Sequence, residues 1–473
     1  MSKPRRHAPE QLGASFTAIL DGLHIEREFS PEVESLATTR AKSGPLASAG
    51  QFADRTDLVL CSIDPEGSRD LDQALAISRV GSGFLFNYAI ADLGAWIEPG
   101  DAIDLAIQSR GATVYCPDQR VPLHPTSLSE GAASLLEGQV RPALLWSIRL
   151  DGRGEITDID IERAMVRNSR QLSYNEVQAA LDSGSTDTTF RLIEEVGVLR
   201  KEREIARGGV SLALPEQIVD QTPSGFELRY DRSLAIENHN AQLSLCCGMA
   251  AAEVMTSVGF GVLRTLPKPE PQTLEQLRRS SLALGVDWPN DMGYPEWTRT
   301  LDPATSKGAA LLTQAARTLR GADYLCFEGD LPEEHQHHAI AAPYAHVTAP
   351  LRRLVDRYGN ECVLAAKHNQ SIPDWVHAEF EHLPDTMRAA SQLASKVERG
   401  IIDLVESAVL LNQLGEEFDA TITAVGQRFS VIQLVDPAVV ATVEGSRKLG
   451  EHIRVKLVDV KLNPPILRFE SAM

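Results

Sequence analysis

The sequence is short of several things, and each shortage closes a route. No apolar run approaches the ~18 residues that a membrane-spanning helix needs, so no membrane partner is expected. Cysteine is sparse: six residues in 473, at positions 61, 116, 246, 247, 326 and 362, form no CxxC pair and no zinc-ligand spacing. Adjacent Cys246 and Cys247 cannot readily pair with each other, so the six read as buried, reduced thiols of a cytoplasmic protein. Positive charge is also short: 46 Lys and Arg face 65 Asp and Glu, a net −19. A polyanion cannot be held by such a surface as a whole, and any nucleic-acid partner has to be met in a local groove. The opening MSKPRRHAPEQ is basic but has no apolar stretch behind it, and so does not read as a signal peptide.

What is present is enough apolar residue, 43% of the chain, for a sizeable core, and length for about three domains at ~150 residues each. Residues 1–57 read as a polar, helical lead-in. Phe16, Leu20 and Leu23 sit at helical spacing, and Ser30 followed by Pro31 reads as an N-cap and first helical position. These helices fit either a helix-turn-helix or an extension packed on the main domain. Residues 58–150 alternate strands and turns, with strands expected at Leu58–Ile63, Phe84–Ala91 and Ala143–Leu150. Residues 173–207 turn helical; the charged stretch 199–206 reads as a solvated face, and Gly208-Gly209 ends the helix. From 234 to 412 the pattern is helical. Thr273-Leu-Glu-Gln276 reads as a capping box, and Leu351, Leu354, Val355, Tyr358 and Cys362 as one apolar face. The tail 418–473 returns to short strands, which suits a small OB-type barrel.

The densest chemical signal is Ser62-Ile-Asp-Pro-Glu-Gly-Ser-Arg-Asp-Leu-Asp-Gln-Ala-Leu75. A buried-type strand ends at Asp64, and Pro65-Glu-Gly-Ser68 is turn chemistry. Asp70 and Asp72, two apart, point to one side of an extended backbone. Three converging carboxylates repel one another and are costly to desolvate unless a cation sits among them. Carboxylate oxygens favour Mg²⁺ or Mn²⁺, and such ions serve phosphoryl chemistry. An acidic surface loop is the bland alternative; an EF-hand pattern is absent. His335-Gln-His-His338 fits no metal spacing and reads as a polar loop.

This stretch resembles the ribonuclease II family signature I-D-x-x-x-x-x-D-x-D-D-A. Further resemblances follow in the family's order: Ala89–Ile97, nearer to ribonuclease II than to ribonuclease R; Arg110–Pro125, against R-x-x-S-x-Y-L-P-x-x-x-x-P-M-L-P; Val140–Leu144; Leu214-Pro-Glu216; and Tyr344–Arg353, against Y-x-x-F-T-S-P-I-R-R. The resemblance implies an α+β protein. A small helical domain (1–57) would precede an RNB-type catalytic domain (58–415), a β-barrel-like core wrapped by helices. An OB-fold RNA-binding domain of ribosomal-protein type (416–473) would follow. Only 63 residues precede Asp64, too few for the two cold-shock barrels usual in the family.

The resemblance also implies an activity: Mg²⁺-dependent hydrolysis of single-stranded RNA from its 3′ end to nucleoside 5′-monophosphates, by a cytoplasmic monomer with no small-molecule cofactor. Asp64, Asp70 and Asp72 match three of four metal-site aspartates, and the fourth place is Gln73, whose carbonyl is a weak ligand. Asp72 and Asp70 would also act in catalysis. Arg352 would steady charge at the scissile phosphate, with Pro350 placing it in a helix's first turn and Arg353 beside it. Tyr115 would clamp the RNA end, and Glu398 would lie near the substrate. Glu237 reads as an RNA contact or a helix-packing residue, and Gly359-Asn-Glu361 stands where the family has V-H-R. The competing readings are an RNA-binding scaffold weakened by Gln73 and a metal-dependent DNA nuclease.

Overall fold

A computed structural model describes residues 7–8, 12–214, 216–222, 225–231, 233–434 and 436–472. Most of MSKPRRHAPEQ, and Pro215 of the Leu214-Pro-Glu216 stretch, lie outside the described residues. The chain runs from strand β1 (His7–Ala8) through helices α1 (Gly13–Gly22) and α2 (Pro31–Ser43) to strands β2 (Ala53–Asp64), β3 (Gln73–Val80) and β4 (Gly83–Ala91). Helix α3 (Ala102–Arg110) leads to a short hairpin, β5 (Val114–Tyr115) and β6 (Arg120–Val121), and then to long strands β7 (Val140–Leu150) and β8 (Ile156–Ser173). Helices α4 (Tyr174–Asp182) and α5 (Thr188–Arg207) precede the hairpin β9 (Glu216–Thr222) and β10 (Gly225–Asp231). Helix α6 (Ala235–Val258), strand β11 (Phe260–Thr265), helices α7 (Pro271–Leu284), α8 (Tyr294–Thr298) and α9 (Ser306–Ala315), and strand β12 (Asp323–Glu328) follow. Helices α10 (Leu354–Lys367), α11 (Asp374–Glu379) and α12 (Leu383–Leu410) lead to the last five strands. These are β13 (Glu417–Val425), β14 (Phe429–Leu434), β15 (Val440–Glu444), β16 (His452–Leu462) and β17 (Pro465–Ser471).

The fold is α+β with two closed barrels. The first has the order β2-β3-β4-β7-β8, and β8 returns parallel to β2 to close it. All three expected strands lie within it. The β3–β4 turn brings Gly83 so near β7 that a Cβ there would stand 2.1 Å from the Leu150 carbonyl oxygen, which only glycine avoids. The second barrel, β13-β14-β15-β17-β16, is the expected small C-terminal barrel.

Two apolar cores divide the work. The larger gathers the first barrel (Phe86, Tyr88, Trp146), α2 (Val33, Ala37), α6 and α10. The second gathers α1 (Phe16, Leu20), β5–β6 (Val114, Val121), β10 (Phe226), the last turns of α12 and the C-terminal barrel. Helices α1 and α2 thus bury their apolar faces in different cores.

Ser30 Oγ accepts from Val33 N–H at 3.3 Å and caps α2, with Pro31 at the first position. Gly208 ends α5 at φ 82°. The capping box at Thr273 is not formed: Pro271 starts α7 earlier, with Glu270 ahead of it, so Thr273 is already inside the helix. The stretch 199–206 is not simply a solvated face. Arg200 and Glu204 are buried; Arg200 Nη1 donates to the Gly154 carbonyl at 2.7 Å, and Glu204 accepts from Lys201, Ser211 and Gln242. Nor is 234–412 all helical. Strands β11 and β12 pair across a long helical insertion, so no short turn between them marks the hairpin.

The second barrel meets the body at Glu406 of α12, whose Oε1 accepts from Val440 N–H and Gln217 Nε2, both at 2.7 Å. Burial pushes this carboxyl up to about 7. The folded protein therefore keeps a proton that the unfolded chain releases nearer 4.5. Stability contributed there is full at acid pH and falls as pH rises towards 7. Glu406→Gln should flatten this slope and raise Tm at pH 8, as thermal melts at pH 5 and 8 would show.

Candidate active site

The acidic loop hangs between β2 and β3 and is pinned at several points. Gly67 takes φ 81° in the Pro65–Ser68 turn, where Ser68 N–H donates to the Pro65 carbonyl. Gln171 Nε2 holds the Ser68 carbonyl at 2.7 Å, and buried Ser134 both accepts from Leu71 N–H and donates to the Arg69 carbonyl. Residues 69–72 are not strand, so Asp70 and Asp72 do not share one pleat face as expected. They are aimed by separate partners.

Asp72 is 6% exposed. Its Oδ1 accepts from Leu351 N–H at 2.7 Å, and its Oδ2 lies 3.4 Å from Arg352 Nε. Burial lifts it to about 7 against the pull of Arg352 and the Leu351 N–H. Asp64 pairs with Ser173 at the end of β2, and its Oδ2 is buried without a hydrogen-bond partner. Burial, then the neighbouring charge of Asp70, lifts Asp64 to about 7 as well. Asp70 is held by Arg120 Nη1 at 2.7 Å, and Arg120 also pairs with Glu130. Nothing in the Arg110–Pro125 stretch marks Arg120 out; a cation opposite the acidic loop is visible only once β5 and β6 fold over it.

Gln73 begins β3, and its Oε1 accepts from the Tyr88 hydroxyl, with Ser244 Oγ at 3.4 Å. Its carbonyl is thus engaged by hydroxyl donors. Tyr174, just after β8, feels the charges of Asp64 and Arg352 and accepts from Asn240 Nδ2 at 3.0 Å; sequence reading missed it because its neighbours come from distant segments.

Arg352 is not in a helix's first turn. Residues 349–353 form a turn ahead of α10, which starts at Leu354, and Arg352 is half-exposed beside Asp72. Arg353 does not offer a free fork: its Nε and Nη2 both bond Asp356 at 2.9 Å. Tyr115 is 51% exposed on β5, with its hydroxyl near Asp70, Arg352 and Asp72. Glu398 is exposed on α12. It shares a groove of about 410 Å³ with Gln217, Arg399 and Val440 of the second barrel. That groove, which Asp403 and Glu406 also line, adjoins through Ser395 and Arg399 another of about 500 Å³ lined by Arg264, Arg388, Lys396 and Arg399, with Asp323 its one acid and Arg388 paired with it. The second groove is thus locally basic on a chain of net charge −19.

The other singled-out residues have protein partners. Glu237 Oε2 accepts from Leu234 N–H and caps α6. Asn360 bonds Trp146 Nε1 and the Val347 carbonyl, and Glu361 pairs with Arg163. His335 Nδ1 donates to the Pro332 carbonyl, and His337 packs edge-on to Tyr344.

The RNB domain family matches residues 52–368, and the RNase II-type exonuclease C-terminal S1 domain matches residues 416–472. The chain belongs to the RNB-domain family. Among curated relatives, the exosome complex exonuclease RRP44 homolog A of Arabidopsis thaliana is 27% identical over 370 residues, 72% of this chain and 38% of that protein. Ribonuclease R of Escherichia coli (strain K12) is 26% identical over 411 residues, 80% of this chain and 49% of the relative. The chain thus spans less than half the length of either. Mycoplasma genitalium RNase R in complex with ribose-methylated single-stranded RNA superposes with a TM-score of 0.85 at 20% identity, over 97% of this chain and 78% of that one. Yeast Ssd1, described as a pseudonuclease, gives 0.72 at 16%, over 92% and 56%. These structures share the fold.

A divalent cation is the cofactor implied by the family. Among the described residues no three His, Cys, Asp or Glu side chains are grouped closely enough to hold a metal ion. The donor chemistry nonetheless fits one: Asp64 has an orphaned buried oxygen, and burial holds both Asp64 and Asp72 above the ordinary carboxylate range despite Arg352. Two outcomes follow. Mg²⁺ or Mn²⁺ should raise the Tm of the natural protein but not of Asp64→Asn or Asp72→Asn. In EDTA at pH 8, Asp72→Asn should melt above the natural protein, by about 1 °C per kcal/mol of relieved burial in a chain of this length.

Proposed function

We propose that this chain is a hydrolytic exoribonuclease of ribonuclease II type, removing nucleoside 5′-monophosphates from the 3′ end of single-stranded RNA with Mg²⁺ as its cation. The observation that carries the reading is Asp72 buried between the Leu351 N–H and Arg352, with Asp70 on the same loop and Asp64 at the strand end that leads into it. Membership of the RNB family and the RNase II-type C-terminal domain support it. The ribonuclease II rather than ribonuclease R assignment rests on the sequence of Ala89–Ile97, where β4 ends at Ala91 and the chain turns through Leu93–Ala95.

When bound by Asp64, Asp70 and Asp72, the cation would neutralise phosphate oxygens and lower the pKa of the attacking water. The chain's own groups do the rest. Arg352, half-exposed and steered by Asp72, offers its remaining guanidinium donors to the phosphate as charge develops. Tyr115 presents an open ring beside the carboxylates, and stacking of this kind is worth ~1–3 kcal/mol per base without regard to sequence. The basic face of α12 gives the sugar-phosphate chain an approach that the acidic surface elsewhere denies it.

A non-hydrolytic RNA binder is the competing reading, favoured by the neutral Gln73 held by Tyr88 and Ser244. Asp72→Asn separates the two. Hydrolysis of a single-stranded RNA oligonucleotide should fall about 10³-fold or more, as when an electrostatic group at the reacting centre is lost. RNA affinity by fluorescence anisotropy should stay within about threefold, because Tyr115 and the α12 groove remain. A mutant as active as the natural protein would remove the site assignment, and no hydrolysis by the natural protein would favour the binder.

A further inference from the structure

The turn that carries Arg352 is gripped by the segment that carries Tyr115. Backbone bonds make part of the grip: Thr113 N–H donates to the Arg352 carbonyl at 3.0 Å and Leu354 N–H to the Gly111 carbonyl at 2.9 Å. One side chain joins them. His124, three residues past β6, has its Nδ1 3.0 Å from the Leu351 carbonyl oxygen. A carbonyl only accepts, so the ring carries its proton on Nδ1. Nε2 is buried and without a partner, and the residue is 0% exposed. Leu351 is therefore held on both sides: its N–H donates to Asp72 Oδ1 and its carbonyl accepts from His124. The peptide that His124 fixes is the one that begins Arg352.

Packing alone does not call for a histidine here. Leucine, which stands at this place in the motif that Arg110–Pro125 resembles, would fill similar space without burying an unpaired ring nitrogen. What leucine lacks is a donor for the Leu351 carbonyl. We propose that His124 is a positioning residue of the phosphate site. By fixing the Leu351–Arg352 peptide, it sets the aim of the Arg352 guanidinium against Asp72. The proposal rests on the hydrolase reading above, and its test separates the two.

The full-length natural protein is compared with His124→Leu, which lacks the donor, and His124→Asn, whose amide N–H takes the place of Nδ1–H. On single-stranded RNA with Mg²⁺, His124→Leu should lose about tenfold or more in kcat with KM within about twofold, because misaim acts on the reacting geometry rather than on binding. His124→Asn should recover most of the loss. Hydrogen exchange over residues 349–354, measured without RNA or metal, should quicken at least about fivefold in His124→Leu and return in His124→Asn. Unchanged kcat or unchanged exchange in His124→Leu overturns the proposal, as does a defect that asparagine does not mend. A natural protein that fails to hydrolyse RNA overturns the hydrolase reading, while the exchange comparison still decides the His124 contact.

Discussion

Removing a carboxylate from water costs several kcal/mol unless charge or hydrogen bonds compensate, and this protein does so with both Asp64 and Asp72. Much of the surrounding architecture can be traced to that constraint. The Leu351 N–H is aimed at Asp72 by a turn that Asp356 braces, since Asp356 Oδ1 accepts from Ala349 N–H at 2.7 Å. Arg353 closes on the same Asp356, which leaves Arg352 rather than Arg353 to face Asp72. On the other side, Arg120 restrains Asp70, and the hairpin that carries Arg120 also presents Tyr115. Two segments far apart in sequence therefore converge on one short acidic loop. The shortfall in compensation that remains at Asp64 is what a divalent cation would make good.

The second core explains how helix α12 is held in place. Helix α12 packs one side against α1, β5 and β10 and carries the basic stripe on the other. Phe16 of α1 meets Phe226 of β10 edge-on at 5.0 Å, and Ile19 packs close to Gly400. The N-terminal helix thus lies in the same apolar cluster as the C-terminal barrel. A helix nearly buried along one face and charged along the other suits a wall between a core and a polyanion.

Much of this was legible in the sequence, for identifiable reasons. The strands at Leu58–Ile63, Phe84–Ala91 and Ala143–Leu150 announce themselves by apolar runs and Gly turns, and the C-terminal barrel by short strands after a long helical stretch. Ser30-Pro31 and Gly208 act through local backbone preference, so sequence suffices for them. What sequence hid depends on distant partners. Arg200 and Glu204 look like surface charge until Gly154, Ser211 and Gln242 reach them. The β11–β12 pair is separated by a helical insertion, and Arg353 differs from Arg352 only because Asp356 lies one turn away. At the site, the acidic loop and Arg352 were recognisable, but the hydroxyl partners of Gln73 were not, since Ser244 comes from α6.

The most direct measurement of the central claim follows matched 5′-labelled RNA and DNA oligonucleotides of one sequence over time, with Mg²⁺ or with EDTA. The account predicts a ladder shortening one nucleotide at a time for RNA with Mg²⁺, and intact label in the other three arms. Equal cleavage of DNA, or RNA cleavage that persists in EDTA, would contradict it.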